Sequence, residues 1–195
     1  MGITTEDIKA LRERTGLSVM DCKNALEQVE GDMEKALIVL RKKSSAAAAK
    51  KSERALGAGV VQTYVHSSND IGTIVLLSCE TDFVAKNAEF LELARDIAMH
   101  ATATNPRFIS REHVKEEDME KAKEIFEKEA EDKPKEKRAA IVEGKMNSYL
   151  QEQVLLEQPY IKDPSKTIKD LVEQATQKFG ERIEVSECFR VGVSR

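Results

Sequence analysis

The chain has 195 residues, enough for one ordinary domain and a small module around a real buried core. Its formal net charge is −4 with 34% charged residues, which fits a soluble, surface-rich helical protein and disfavours a nucleic-acid binder, since those normally present a net basic face. No apolar run approaches the ~20 residues that cross a bilayer, and the start Met1-Gly2-Ile3-Thr4-Thr5-Glu6 has no basic or apolar leader region, so neither membrane nor signal peptide is expected.

Residues 1–43 read as three short helices. Thr4-x-x-Asp7 starts the first as a capping box, with Ile8 and Leu11 on its apolar side, and Gly16 ends it in the left-handed conformation. Ser18-x-x-Asp21 opens the second, with Cys22, Ala25, Leu26 and Val29 at helical spacing. Gly31 breaks it and Asp32 caps the third, lined by Met33, Ala36, Leu37 and Leu40. Residues 41–57 then lose their apolar stripe and read as a partly helical linker with little packed on it; its Lys and Arg residues leave RNA contact as an alternative to simple solvation. These features place a three-helix module and linker at 1–53 and a core domain at 54–195.

The core opens with a hairpin signal, residues 60–66 and 72–79 flanking the polar turn Ser67-Ser68-Asn69-Asp70. A long helix is predicted from about Asp82 to Ala103, with Phe83, Asn87, Phe90, Leu91, Ala94, Ile97, Ala98 and Ala101 on one stripe over the sheet. Residues 111–151 read as an antiparallel helical hairpin joined at Asp132-Lys133-Pro134, with Val114, Met119, Ala122, Phe126 and Ala130 facing Ala139, Val142, Met146 and Tyr149. Thr167-x-x-Asp170 starts a last helix that Gly180 stops. A final strand then alternates, Ile183, Val185, Phe189, Val191 and Val193 on one face and Arg182, Glu184, Ser186, Cys188 and Arg190 on the other, with Glu187 as an unexplained interruption. The sum is an α+β fold: a small antiparallel sheet packed on helices, with a projecting hairpin.

Reactive groups do not converge. Cys22, Cys79 and Cys188 are widely spaced with no CxxC or Cys/His pattern, which predicts reduced thiols in a cytosol-like compartment. His66, His100 and His113 share no ligand spacing and read as surface or boundary residues. Phosphate-loop, serine-elbow, zinc-helix and paired-carboxylate signatures are all missing, so neither enzyme nor bound cofactor is expected. The strand-to-helix junction Cys79-Glu80-Thr81-Asp82-Phe83-Val84 stands out instead. There Thr81 or Asp82 can cap the helix. Phe83 reads as the first core residue of the stripe, or alternatively as an aromatic anchor projecting into a partner.

Two stretches resemble a known family. Leu11-Arg12-Glu13-Arg14-Thr15-Gly16-Leu17-Ser18-Val19-Met20-Asp21-Cys22-Lys23 and Thr81-Asp82-Phe83-Val84-Ala85-Lys86-Asn87 are similar to the two signatures of the elongation factor Ts family, in its order and spacing. Glu143-Gly144-Lys145-Met146, Leu155-Leu156-Glu157-Gln158-Pro159 and Pro164-Ser165-Lys166-Thr167 resemble its later segments. The resemblance implies a ubiquitin-associated-like three-helix module, a core domain and a coiled-coil hairpin. It implies a cytoplasmic translation factor that exchanges guanine nucleotide on elongation factor Tu. Asp82 and Phe83 would intrude near the GTPase's magnesium and phosphate site, framed by Thr81 and Val84, while Arg12, Val19 and Met20 would grip its nucleotide-binding domain. Val19 departs from the family's frequent Met but stays apolar. With one copy of the core subdomain, the chain resembles the short form, which pairs with a second copy of itself; the last strand is the expected seam, with Cys188 near it. A binding module that tethers a partner protein or the ribosome is the alternative.

Overall fold

The computed structural model describes residues 3–193. Met1 and Gly2, within the leader reading and the 1–53 module, and Ser194 and Arg195, at the end of the 54–195 domain, lie outside the described residues. Helices α1 (Thr5–Thr15), α2 (Val19–Gln28) and α3 (Met33–Ala49) come first. Thr4 and Asp7 form a complete capping box, Gly16 closes α1 at φ 68°, and the Ser18 and Asp32 side chains accept from the first turns of α2 and α3. Leu11, Leu17, Cys22, Leu26, Ala36 and Leu40 form a separate small core.

Helix α3 continues into the segment read as a linker as far as Ala49, and that part does pack. Ser44 is buried, its hydroxyl donating to Gln177 at 2.5 Å, while Ser45 donates to Glu173 at 3.2 Å and Arg41 pairs with Asp170 at 3.3 Å. Small and polar side chains make this contact, so no apolar stripe announces it.

Strands β1 (Ala58–Val65) and β2 (Ile71–Cys79) form the expected hairpin, and β5 (Glu184–Gly192) pairs antiparallel with the other edge of β2. The inward face, with Val75, Leu77 and Cys79, packs under Phe90, Ala94, Ile97, Ala98 and Ala101 of α5 (Ala88–Thr104). The alanines let the helix axis approach the sheet; Phe90 and Ile97 fill the remaining volume. Each such large apolar side chain contributes about 1.5–3 kcal/mol on burial. Helix α8 (Ile168–Phe179), opened by the Thr167–Asp170 capping box and closed by Gly180 at φ 74°, adds Ile168 and Val172 to the same core.

The helix expected over 82–103 is broken. A single turn, α4 (Asp82–Ala85), precedes α5, and the Asn87 side chain accepts from the Glu89 amide at 2.9 Å. Asparagine offers the backbone a cap in place of a continuing helix, and the chain restarts in a new direction. Phe83 and Asn87 therefore leave the stripe that begins in earnest at Phe90.

In β5 the register slips. Leu76 pairs with Glu187 but Leu77 pairs with Val185, which leaves Ser186 as a bulge. Beyond it the alternation reverses. Cys188 lies opposite buried Val75 and packs on the core, and the Arg190 guanidinium donates to the Thr102 carbonyl of α5. Phe189 and Val191 turn outward, 64% and 71% exposed. Glu187 thus belongs to the outer face by geometry, which removes the interruption left by simple alternation. Cys188 is on the inner rather than the polar outer side, and burial pushes its thiol up to about 11.

Helices α6 (Glu116–Glu129) and α7 (Lys135–Gln153) form the helical hairpin, with Ala122, Ala130 and Leu150 buried and the Phe126 ring edge-on to Tyr149 at 6.1 Å. Ala139, expected in the seam, is exposed. Below the hairpin, β3 (Pro159–Tyr160) and β4 (Asp163–Thr167) make a small ladder.

One histidine departs from the surface reading. His100 is fully buried on α5; its Nδ1 accepts from the Ile161 amide at 3.3 Å, so Nε2 carries the proton and donates to Gln158 at 2.9 Å. Burial holds its pKa below the ordinary 6.5. The folded protein keeps this ring neutral where the unfolded chain protonates it, so its stabilising share is complete above pH 6.5 and is lost as pH falls through that value. In paired melts of the wild type and His100→Gln, the stability difference should narrow between about pH 7 and pH 5.5.

Candidate functional site

The residues singled out at the strand-to-helix corner are brought together by β2 and α4. Thr81 is extended (φ −127°, ψ 155°), and α4 closes with Ala85 and Lys86 amides bonded to the Thr81 and Asp82 carbonyls at 3.2 and 3.1 Å. This one turn sends neighbouring side chains in opposite directions. Val84 is buried with Cys79 in the core, while Phe83 is 81% exposed, the most exposed large apolar side chain among the described residues. The exposure overturns the core reading of Phe83, and Val84 rather than Phe83 is the core residue of this corner. Asp82, the residue before Phe83, is exposed as well. Its carboxylate bonds Lys86 one turn on at 2.6 Å, and that ammonium holds it below the usual aspartate range.

Thr81 caps nothing with its side chain. Its hydroxyl instead donates to Oε1 of Glu181 at 2.6 Å, while the amides of Thr81 and Glu80 donate to Oε2 of the same carboxylate at 3.0 and 3.1 Å. Glu80 reciprocates. It accepts the Arg182 amide at 2.5 Å and the Arg54 guanidinium at 3.2 Å, and these donors, the amide first, hold its carboxyl below the usual range. Arg182 in turn donates to the Arg54 carbonyl at 2.7 Å. Glu181, Arg182 and Arg54 were absent from the sequence-derived site. Contacts spanning about 100 residues leave no local periodicity, and the sole hint is a carboxylate directly after the Gly180 stop.

The second group, Arg12 on α1 and Val19 and Met20 at the start of α2, is exposed, Val19 and Met20 at 53% and 63%. The Ser18 cap places both apolar side chains in the first turn of α2. This module leans on the end of α8. The Gln177 amide donates to Asp21 at 3.4 Å, and the Lys178 ammonium, ion-paired with Glu89 of α5, lies beside Gly16. One short stretch, 177–182, therefore touches both the N-terminal module, at Gly16 and Asp21, and the corner at Thr81.

Among the described residues, no three His, Cys, Asp or Glu side chains gather closely enough to hold a metal ion, and no helix is long and apolar enough to cross a membrane. The corner offers an exposed aromatic and a carboxylate on a fixed backbone, an arrangement suited to insertion into another surface.

Comparison with known proteins gives the affiliation. The family model described as Elongation factor TS matches residues 7–194. The chain is 46% identical over 195 residues to elongation factor Ts of Fervidobacterium nodosum, covering 99% of both chains. It is 45% identical over 196 residues to that of Thermodesulfovibrio yellowstonii, covering 100% of this chain and 98% of the relative. Against the Carboxydothermus hydrogenoformans protein the identity is 48% over 190 residues, 96% of this chain and 88% of the relative. The chain belongs to the elongation factor Ts family, and so to the translation elongation factors.

Proposed function

We propose that this protein is a guanine-nucleotide exchange factor for elongation factor Tu, acting in the cytoplasm without catalytic groups or a cofactor of its own. The observation that carries the reading is Phe83, held 81% exposed directly after Asp82 at a backbone-fixed corner in a chain of this family. An exposed aromatic has no stabilising value to its own fold. Its burial in a partner is worth about 1.5–3 kcal/mol. If that burial occurs only in the GTPase conformation with disturbed magnesium and loosened phosphate contacts, it shifts the partner toward GDP release. By linkage, GDP weakens the complex by the same factor. Thr81 and Val84 anchor the corner from the chain side, and Arg12, Val19 and Met20 supply a second, nucleotide-independent grip through a ubiquitin-associated-like module. The helical hairpin is read as a coiled coil, and no direct nucleic-acid contact is assigned to the protein.

The working form is read as a homodimer. Strand register lines Thr63, Ile74 and Phe189 side by side, and Val65, Gly72 and Val191 beside them, on the sheet face opposite α5. Val61, Val65, Ile74, Phe189 and Val191 are all exposed there. A second copy presenting the same face covers this patch under two-fold symmetry. Cys188, turned inward, is not the group that joins the copies.

In a GDP-release assay on GDP-loaded elongation factor Tu, Phe83→Ala should slow release at saturating factor by about one to two orders of magnitude. Unchanged release would refute the wedge. Phe189→Asp enters a two-fold contact twice, and sedimentation should show the dimer dissociation constant rising by about two to four orders of magnitude.

A further inference from the structure

Helix α4 has four residues, too few to hold itself together in water. Thr81 contributes no cap, and Phe83 has almost no packing of its own, so the direction of the ring is set by the backbone of residues 80–82. On one side that backbone is pinned by buried Val84 and by the Cys79 thiol, which donates to the Thr81 carbonyl at 3.2 Å. On the other side three donors, the Glu80 amide, the Thr81 amide and the Thr81 hydroxyl, converge on the single carboxylate of Glu181. Hydrogen bonds to an ionised acceptor are shorter and about twice as strong as neutral ones.

We propose that Glu181 is a positioning residue for nucleotide release, fixing the backbone from which Phe83 projects. The inference rests on the wedge reading above and deepens it. Both Glu181 oxygens are already engaged by the protein's own donors, so the side chain acts through the corner rather than by touching the GTPase. Its own placement is secured by the reciprocal contact, because Glu80 binds the amide of the next residue, Arg182. Two carboxylates thus each hold the backbone beside the other. A corner held in this way presents the aromatic in its inserting orientation before contact, and the partner's binding energy is not consumed in ordering it.

A purely structural role and a positioning role differ in what they do to exchange kinetics. The test compares wild type, Glu181→Gln, Phe83→Ala and the double variant as factors for GDP-loaded elongation factor Tu, reading the maximal release rate and the half-saturating GTPase concentration separately. Glu181→Gln should lower the maximal rate by about tenfold and leave half-saturation within about twofold, since the α1–α2 grip is intact. The double variant should be no slower than Phe83→Ala within about twofold, because the two residues act through one ring. Losses that multiply in the double variant, or a change confined to half-saturation, would overturn the positioning role. So would an unaffected Glu181→Gln beside an impaired Phe83→Ala. An unaffected Phe83→Ala would instead remove the wedge reading, and this inference with it. Thr81→Val deletes one of the three bonds and keeps the carboxylate; it should lower the maximal rate by about two- to threefold at constant half-saturation. Should Glu181→Gln fail to fold, Thr81→Val decides alone, and an unchanged maximal rate overturns the proposal.

Discussion

One helical layer covers a sheet that has two apolar faces, and much of the molecule follows from that imbalance. Three strands present Val75, Leu77 and Cys79 on one side, and α5 with α8 buries them completely. The opposite side carries Val61, Ile74, Phe189 and Val191, exposed and with no element among the described residues over them. Burial on one face supplies the stability that lets the other stay uncovered, and it also provides the rigid platform at whose end β2 turns into α4. The candidate site is an end-effect of this packing: Cys79 and Val84 are its last core residues, and Phe83 is the first side chain beyond them.

The second organising feature is the concentration of polar contacts at the close of α8. Gln177 reaches Asp21 and Ser44, Lys178 pairs with Glu89, and Glu181 holds the amides of residues 80 and 81. Apolar cores join elements by area and tolerate sliding, whereas hydrogen bonds of this kind fix a register. The N-terminal module and the aromatic corner therefore refer to one common stretch of backbone. Two separate grips on one partner gain most when their spacing is fixed in advance.

Most elements of the fold were legible because their signals are local. The capping boxes at Thr4 and Thr167, the glycine stops at 16 and 180, and the Ser67–Asp70 turn all act within a few residues, and each stands where the pattern placed it. The misreadings share a different cause. Asn87 fits a helical stripe by spacing, yet its side chain competes for a backbone amide and splits the helix. The α3–α8 contact uses serine, alanine and glutamine, which hydrophobic periodicity does not register. His100 has no sequence signal of its own, because the Ile161 amide and Gln158 that satisfy its two ring nitrogens lie about 60 residues away. At the site, spacing alone left Phe83 undecided between core and anchor, and family resemblance pointed to the corner. Its support from Glu181 and Arg182 depends on contacts across about 100 residues and was invisible in either reading.

The bulge at Ser186 makes surface identity a matter of counting. Below it, odd-numbered residues of β5 point into the core; above it, even-numbered ones do. Closing the bulge with every residue kept, so that Ser186 itself paired with Leu76, would restore unbroken alternation and turn Phe189 and Val191 toward α5, in place of Cys188 and Arg190. The composition of the strand would be unchanged, yet its exposed apolar side would have become its interior. The pairing of one residue, rather than the choice of side chains, thus decides which apolar groups β5 shows to its surroundings.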